Sequence, residues 1–144
     1  KDYREMDCIK DNPEMGKVLL GLCWINLNKM PGLPKSNNTI VRNNYMIHWK
    51  DIIRKQILTY DPDVIIFGGT LFKNDDFYYS FLTEDDWNNR DESVKDEDGN
   101  VFMTKYYKEG KLIIDAKHPG LRKKVDLWVN SIIDALKDNK NNIK

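Results

Sequence analysis

Residues Tyr60 to Thr70, YDPDVIIFGGT, restrict the fold more than any other stretch of the chain. Asp61 precedes a proline and is pushed out of the helical region, which ends any helix running into it. Val64, Ile65, Ile66 and Phe67 then form an apolar run that is too short for a helix and mostly β-branched. Such a run reads as a strand buried on both faces, of the kind found in the middle of a parallel sheet. Gly68 and Gly69 follow, where the chain can turn sharply and a ligand can reach bare backbone. Ligands of open α/β sheets bind beyond the carboxyl ends of the strands, so the functional face is expected at Gly68 and Gly69.

The flanking segments supply partners for that strand. Residues 1 to 15 are polar and read as a loop or short helix. Val18 to Leu27, VLLGLCWINL, is nearly all apolar, and Leu22 to Leu27 reads as a second buried strand closed by Asn26. Tyr45, Trp49, Ile52, Ile53, Ile57 and Tyr60 recur at helical spacing and predict an amphipathic helix from Asn44 to about Thr59. Leu71 to Leu82, with Phe72, Phe77, Tyr78 and Phe81, is expected to begin another helix. Thr83 to Asn100 turns acidic and reads as a solvated insertion. Asp98-Gly99 and Glu109-Gly110 bracket VFMTKYYK, a hairpin pattern that feeds a last strand through LIID. Val125, Trp128, Val129, Ile132, Ile133 and Leu136 mark a closing helix, and residues 137–144 carry no apolar stripe and should fray. The expected fold is α/β: a three-layer α/β/α sandwich with a mostly parallel central sheet and a hairpin insertion.

Composition narrows the function classes. A chain of 144 residues holds one domain with a real core rather than two. Its 23 basic and 23 acidic residues cancel, so no global field draws nucleic acid, and only a local basic patch could do so. Cys8 and Cys23 are too few for a four-cysteine metal or cluster site, and Cys23 is expected to be a buried thiol. The setting is expected to be reducing and cytoplasmic. No apolar run approaches the roughly 18 residues of a membrane span. Lys1 stands where a Met would, which reads as a processed or truncated start.

If the sheet is parallel, three strand ends meet at one edge: Asn26, Gly68-Gly69 and His118. An isolated Asn at a strand end either forms a turn or reads a ligand, and turn formation is its commoner use. An imidazole at that edge could donate a hydrogen bond to an oxygen that gathers negative charge. Lys117, Arg122, Lys123 and Lys124 surround it with a short basic strip suited to phosphate. The plainer reading has His118 as a loop residue before Pro119 and the lysines as a solvated helix start. His48 lies one position off its helix stripe and reads as a surface residue.

Taken in order, WINLNKMPG, WKDIIRKQI, DPDVIIFGG and LIIDAKHPG resemble the uracil-DNA glycosylase-like superfamily, over about residues 18 to 136. A poorly characterised bacterial branch with similar strings looks close. The resemblance implies that residues 1–144 are a single domain of this family. It implies hydrolysis of the bond between a base such as uracil and its deoxyribose in DNA repair, on single-stranded DNA or with the base flipped out of the stack. Asn26 matches the residue that reads the base edge, with Gly68 and Gly69 beside it, and His118 the one that stabilises the departing base anion. Pro119, Gly120, Arg122 and Lys123 match the DNA-contact loop, although Gly120 stands where the family has Ser. No metal or organic cofactor is implied. The family's first motif, a glycine-rich strand end that positions water, has no counterpart in residues 1 to 17. Either an upstream segment supplies it or catalysis has been lost.

Two rivals stand beside that reading. Asp115 and His118, three apart after PDVIIFGGT, also resemble the end of an SGNH-type esterase triad. That chemistry needs a nucleophile in a Gly-Asp-Ser turn, and Ser36, Ser80, Ser93 and Ser131 all lie outside one. The other rival is a non-catalytic binding domain on the same scaffold.

Overall fold

The computed structural model of the protein describes residues 10–23, 25, 39–40, 43, 45–71, 82–118 and 124–139. A 3-10 helix spans Pro13–Gly21, and a single π-helical turn, Tyr45–Trp49, leads into α1, Lys50–Tyr60. Helix α1 ends as its sequence requires. Asp61 takes a left-handed conformation with φ 43° and donates its amide to Ile57 O at 2.9 Å, satisfying one of the orphaned last carbonyls. Among the described side chains of the apolar stripe, Ile53 and Ile57 are buried, at 2% and 9% exposure, whereas Ile52 and Tyr60 face solvent. The stripe is thus narrower than the sequence spacing suggests.

Strand β1, Val64–Gly68, follows Pro62 directly. After it come a short helix α2, Glu84–Asn88, then strands β2, Asp91–Lys95, β3, Val101–Lys108, and β4, Lys111–Ala116, and finally helix α3, Val125–Asp138. The four strands form one mixed sheet in the order β1-β4-β3-β2. β1 runs parallel to β4, with Val64 opposite Leu112 and Gly68 opposite Ala116. β4 and β3 are antiparallel, as are β3 and β2.

The sheet is therefore mostly antiparallel, which corrects the expectation of a mostly parallel one. Connection length is the cause: β2, β3 and β4 follow one another through tight turns, and a tight turn can only return the chain antiparallel. At the second turn Glu109 and Gly110 both have positive φ, 53° and 78°, as a two-residue hairpin of the primed type demands. A second correction concerns β1, which lies at the edge of the described sheet rather than at its centre, with Ile66 exposed. Four consecutive apolar residues do not distinguish a strand paired on both sides from one paired on one side.

Neighbouring residues of β4 enter two different apolar clusters, as the period of two requires. Ile113 packs with Ile53 and Ile57 of α1, Phe67, Leu82 and Tyr106. Leu112, Ile114 and Ala116 pack with Met103 and with Ile132 and Ala135 of α3. Helix α3 extends to Asp138, past the end of its apolar stripe, because Asn139 is buried and its amide bonds Tyr107 Oη at 2.7 Å and Ala135 O at 2.8 Å.

The acidic segment is structured rather than merely solvated. The Thr83 hydroxyl accepts from Asp86 N at 3.2 Å while Asp86 accepts from Thr83 N at 2.6 Å, a reciprocal cap that starts α2. Burial alone would raise the pKa of Asp86, but bonds from Thr83 and Lys108 hold it below the ordinary carboxylate value. The apolar run near residue 20 also departs from expectation. Val18 to Gly21 belong to the 3-10 helix, Leu22 and Cys23 are exposed and outside any strand, and Ile25 packs against the α1 cluster. Cys23 is accordingly not the buried thiol expected. The helix expected to begin after Leu71 falls on residues 72–81, outside the described ones. Among the described residues, no helix is long and apolar enough to cross a membrane.

Candidate functional site

The parallel β1–β4 pair brings two strand exits to one rim. Gly69, one residue past β1, donates its amide to Ala116 O at 2.6 Å, so the two chains leave the sheet side by side. Gly69 has φ +69°, and a Cβ there would lie 3.3 Å from the His118 amide nitrogen. The glycine is thus required both by its dihedral and by the closeness of the second chain. The exit of β4 is held from two further directions. Lys117 donates its amide to Phe102 O at 3.2 Å, and the indole Nε1 of Trp128 on α3 donates to Lys117 O at 2.8 Å.

A cavity of about 280 Å³ opens at this rim, lined by Gly69, Leu71, Phe102, Thr104, Asp115 and Lys117 among others. Asp115 is the last polar residue of β4 and lies opposite Phe67 on β1 and Thr104 on β3. Its carboxyl has no hydrogen-bond partner among the described residues. Burial pushes its pKa up to about 7, against a smaller opposing pull from the Lys117 ammonium. A carboxyl poised there exchanges a proton near neutrality, so it can donate or accept a hydrogen bond.

Of the residues picked out in the sequence, Gly68, Gly69 and His118 meet at the rim, with His118 exposed. Asn26, Pro119, Gly120, Arg122 and Lys123 lie outside the described residues. Lys124 does not join a free basic strip: its ammonium pairs with Asp96 at 2.9 Å, tying the start of α3 to the β2–β3 turn. Ser131 is buried on α3, whose cluster takes Ile114 and Ala116, the two residues flanking Asp115. It therefore lies across the sheet from that carboxyl and cannot serve it as a nucleophile. Asp115 entered the sequence reading only as an esterase partner. Its signal was a single carboxylate at the carboxyl end of the otherwise apolar LIIDA.

Comparison of the chain with protein-family models, with curated proteins and with solved structures returns no match.

Proposed function

We propose that the protein is a uracil-DNA glycosylase-like hydrolase that takes a flipped-out base into the cavity at the β1–β4 rim. The reading rests on one observation above the rest: Gly69 and His118 stand against each other where two parallel strands end. That juxtaposition is what the resemblance expects of the two strand exits, since DPDVIIFGG ends at Gly69 and LIIDAKHPG carries His118. In this reading α1 and α3 are the outer layers of a three-layer sandwich around the mixed sheet. Residues 1–144 form one domain, acting on DNA in the cytoplasm.

The chemistry follows from the groups at the rim. The bond from C1′ of the deoxyribose to the base nitrogen breaks with its electron pair leaving on the base. Water oxygen bonds to C1′ and gives up a proton, and that proton ends on the departed base nitrogen. His118 donates a hydrogen bond to the base carbonyl oxygen on which that charge gathers. The resemblance gives the base edge to Asn26 and contact with the surrounding DNA strand to the loop of Pro119, Gly120, Arg122 and Lys123, all outside the described residues.

Incubation with single-stranded DNA containing one uracil, then alkali, should cleave the strand at that position. Replacement His118→Ala should slow excision by about 100- to 1,000-fold, as loss of a donor to a developing anion does. Absence of alkali-labile sites would remove the hydrolase reading. Retained binding of uracil without cleavage would then favour a non-catalytic domain on the same scaffold.

A further inference from the structure

The reaction above assigns no role to Asp115, although Asp115 lines the cavity while His118 is exposed at the rim beside it. Its neighbours leave it little to bond. Phe67 opposite it on β1 has no polar side-chain atom, and Thr104 on β3, which is buried, makes no side-chain hydrogen bond among the described residues. Asp115 and Thr104 thus present polar side chains to the cavity with little on the neighbouring strands to bond them.

We propose that Asp115 is the specificity-determining residue of this cavity, its carboxyl reading the lactam edge of a nucleobase. The inference rests on the cavity being the base site, and it gives Asp115 the base-edge contact that the resemblance assigns to Asn26. A protonated carboxyl carries one donor and one acceptor side by side. A lactam edge, the adjacent C=O and N–H of uracil, is its complement: the acid O–H donates to the base carbonyl, and the acid C=O accepts from the base N–H. The ionised group only accepts, so it loses the bond to the base carbonyl and repels that oxygen. Burial keeps the group protonated up to about pH 7. Among the described residues, the charged group that acts on it is the Lys117 ammonium. Lys117 and His118 lie on its own strand exit, Tyr106 lies two residues from Thr104 on β3, and the described part of β1 opposite it contributes none.

The test is binding of 1-methyluracil, whose ring nitrogen is blocked as in a nucleoside, followed by calorimetry at pH 6 and pH 8. For a carboxyl titrating near 7 the protonated fraction falls from about nine-tenths to about one-tenth over that range, so the affinity should fall about tenfold. Asp115→Asn keeps a donor and an acceptor at every pH and should bind with no pH dependence. Because it retains His118 and Lys117, that flat profile assigns the titration to Asp115. Asp115→Ala should bind at least tenfold more weakly at pH 6, and 1,3-dimethyluracil, which has no N–H, should not bind the wild type. Wild-type binding that ignores pH and survives Asp115→Ala would overturn the inference, as would no binding of 1-methyluracil. Base excision with such pH-independent binding would leave the hydrolase reading intact. The expected binding without excision would do the reverse.

Discussion

Asp115 and Gly69 illustrate how differently two residues of one rim announce themselves. Gly69 was legible, because a Gly-Gly pair after a β-branched run marks a strand exit before any contact is known. Asp115 was not, because its altered acidity comes from the strands on either side of β4, and sequence does not display that burial. The consequence for stability has a definite sign. The unfolded carboxyl ionises near 3.8 and the folded one at about 7, so the folded chain holds the proton more tightly. This group's contribution is therefore most favourable below pH 3.8, declines as pH rises towards 7, and is lost above it. The whole loss is on the order of 4 kcal/mol. Asp115→Asn should thus be more stable than the wild type at pH 8 and about equal to it at pH 4, read from urea midpoints. A variant less stable at both would contradict the burial. Gly69→Ala should cost about 1–2 kcal/mol for its positive φ alone, and the methyl group should displace His118, reducing uracil binding as well as the melting temperature.

The elements were legible in proportion to how local their causes are. The β3–β4 hairpin could be read from Glu109-Gly110 alone, because the turn chemistry lies in two residues. Glu109 is a poor choice for its conformation, φ 53°, and Asn tolerates that region far better. Glu109→Asn should therefore raise stability by about 0.5 kcal/mol, measured by thermal unfolding. Helix α2 was hidden inside EDDWNNRDE, whose charge suggested solvent. Thr83 and Asp86, three apart, are the signal that was available and unused. Thr83→Ala should cost about 1 kcal/mol. Part of that cost passes through Asp86, whose depressed pKa gives stability above the ordinary carboxylate range and loses it as pH falls below. The difference between wild type and Thr83→Ala should hence shrink between about pH 6 and pH 2, and a constant difference would assign the cap no electrostatic share. β2 escaped notice for another reason: DESVK has no alternation of apolar residues, and β3 rather than its own pattern holds it in the sheet.

Over the molecule as a whole, the α/β character could be read from sequence, as could the strands before Gly69 and His118, whereas their pairing with each other and the sheet's overall direction could not. Direction depends on which strands follow one another through tight turns, and β2 was missing from the reading. The proposed site expected three parallel strand ends, of which the β1–β4 pair supplies two; the mostly antiparallel sheet counts against the resemblance, and Asn26 lies outside the described residues. The β1–β4 pair fixes the register Gly68 to Ala116 and with it the cavity. Backbone NMR of the isotope-labelled protein, titrated with a short single-stranded oligonucleotide containing uracil, tests whether that rim is the site. The amides of Gly69, Thr104, Ala116, Lys117 and His118 should shift together and saturate at one affinity, and the same strand with the uracil replaced by an abasic site should leave Thr104 and Ala116 unmoved. Shifts confined to α3 or to the β3–β4 turn, or none at all, would contradict the assignment.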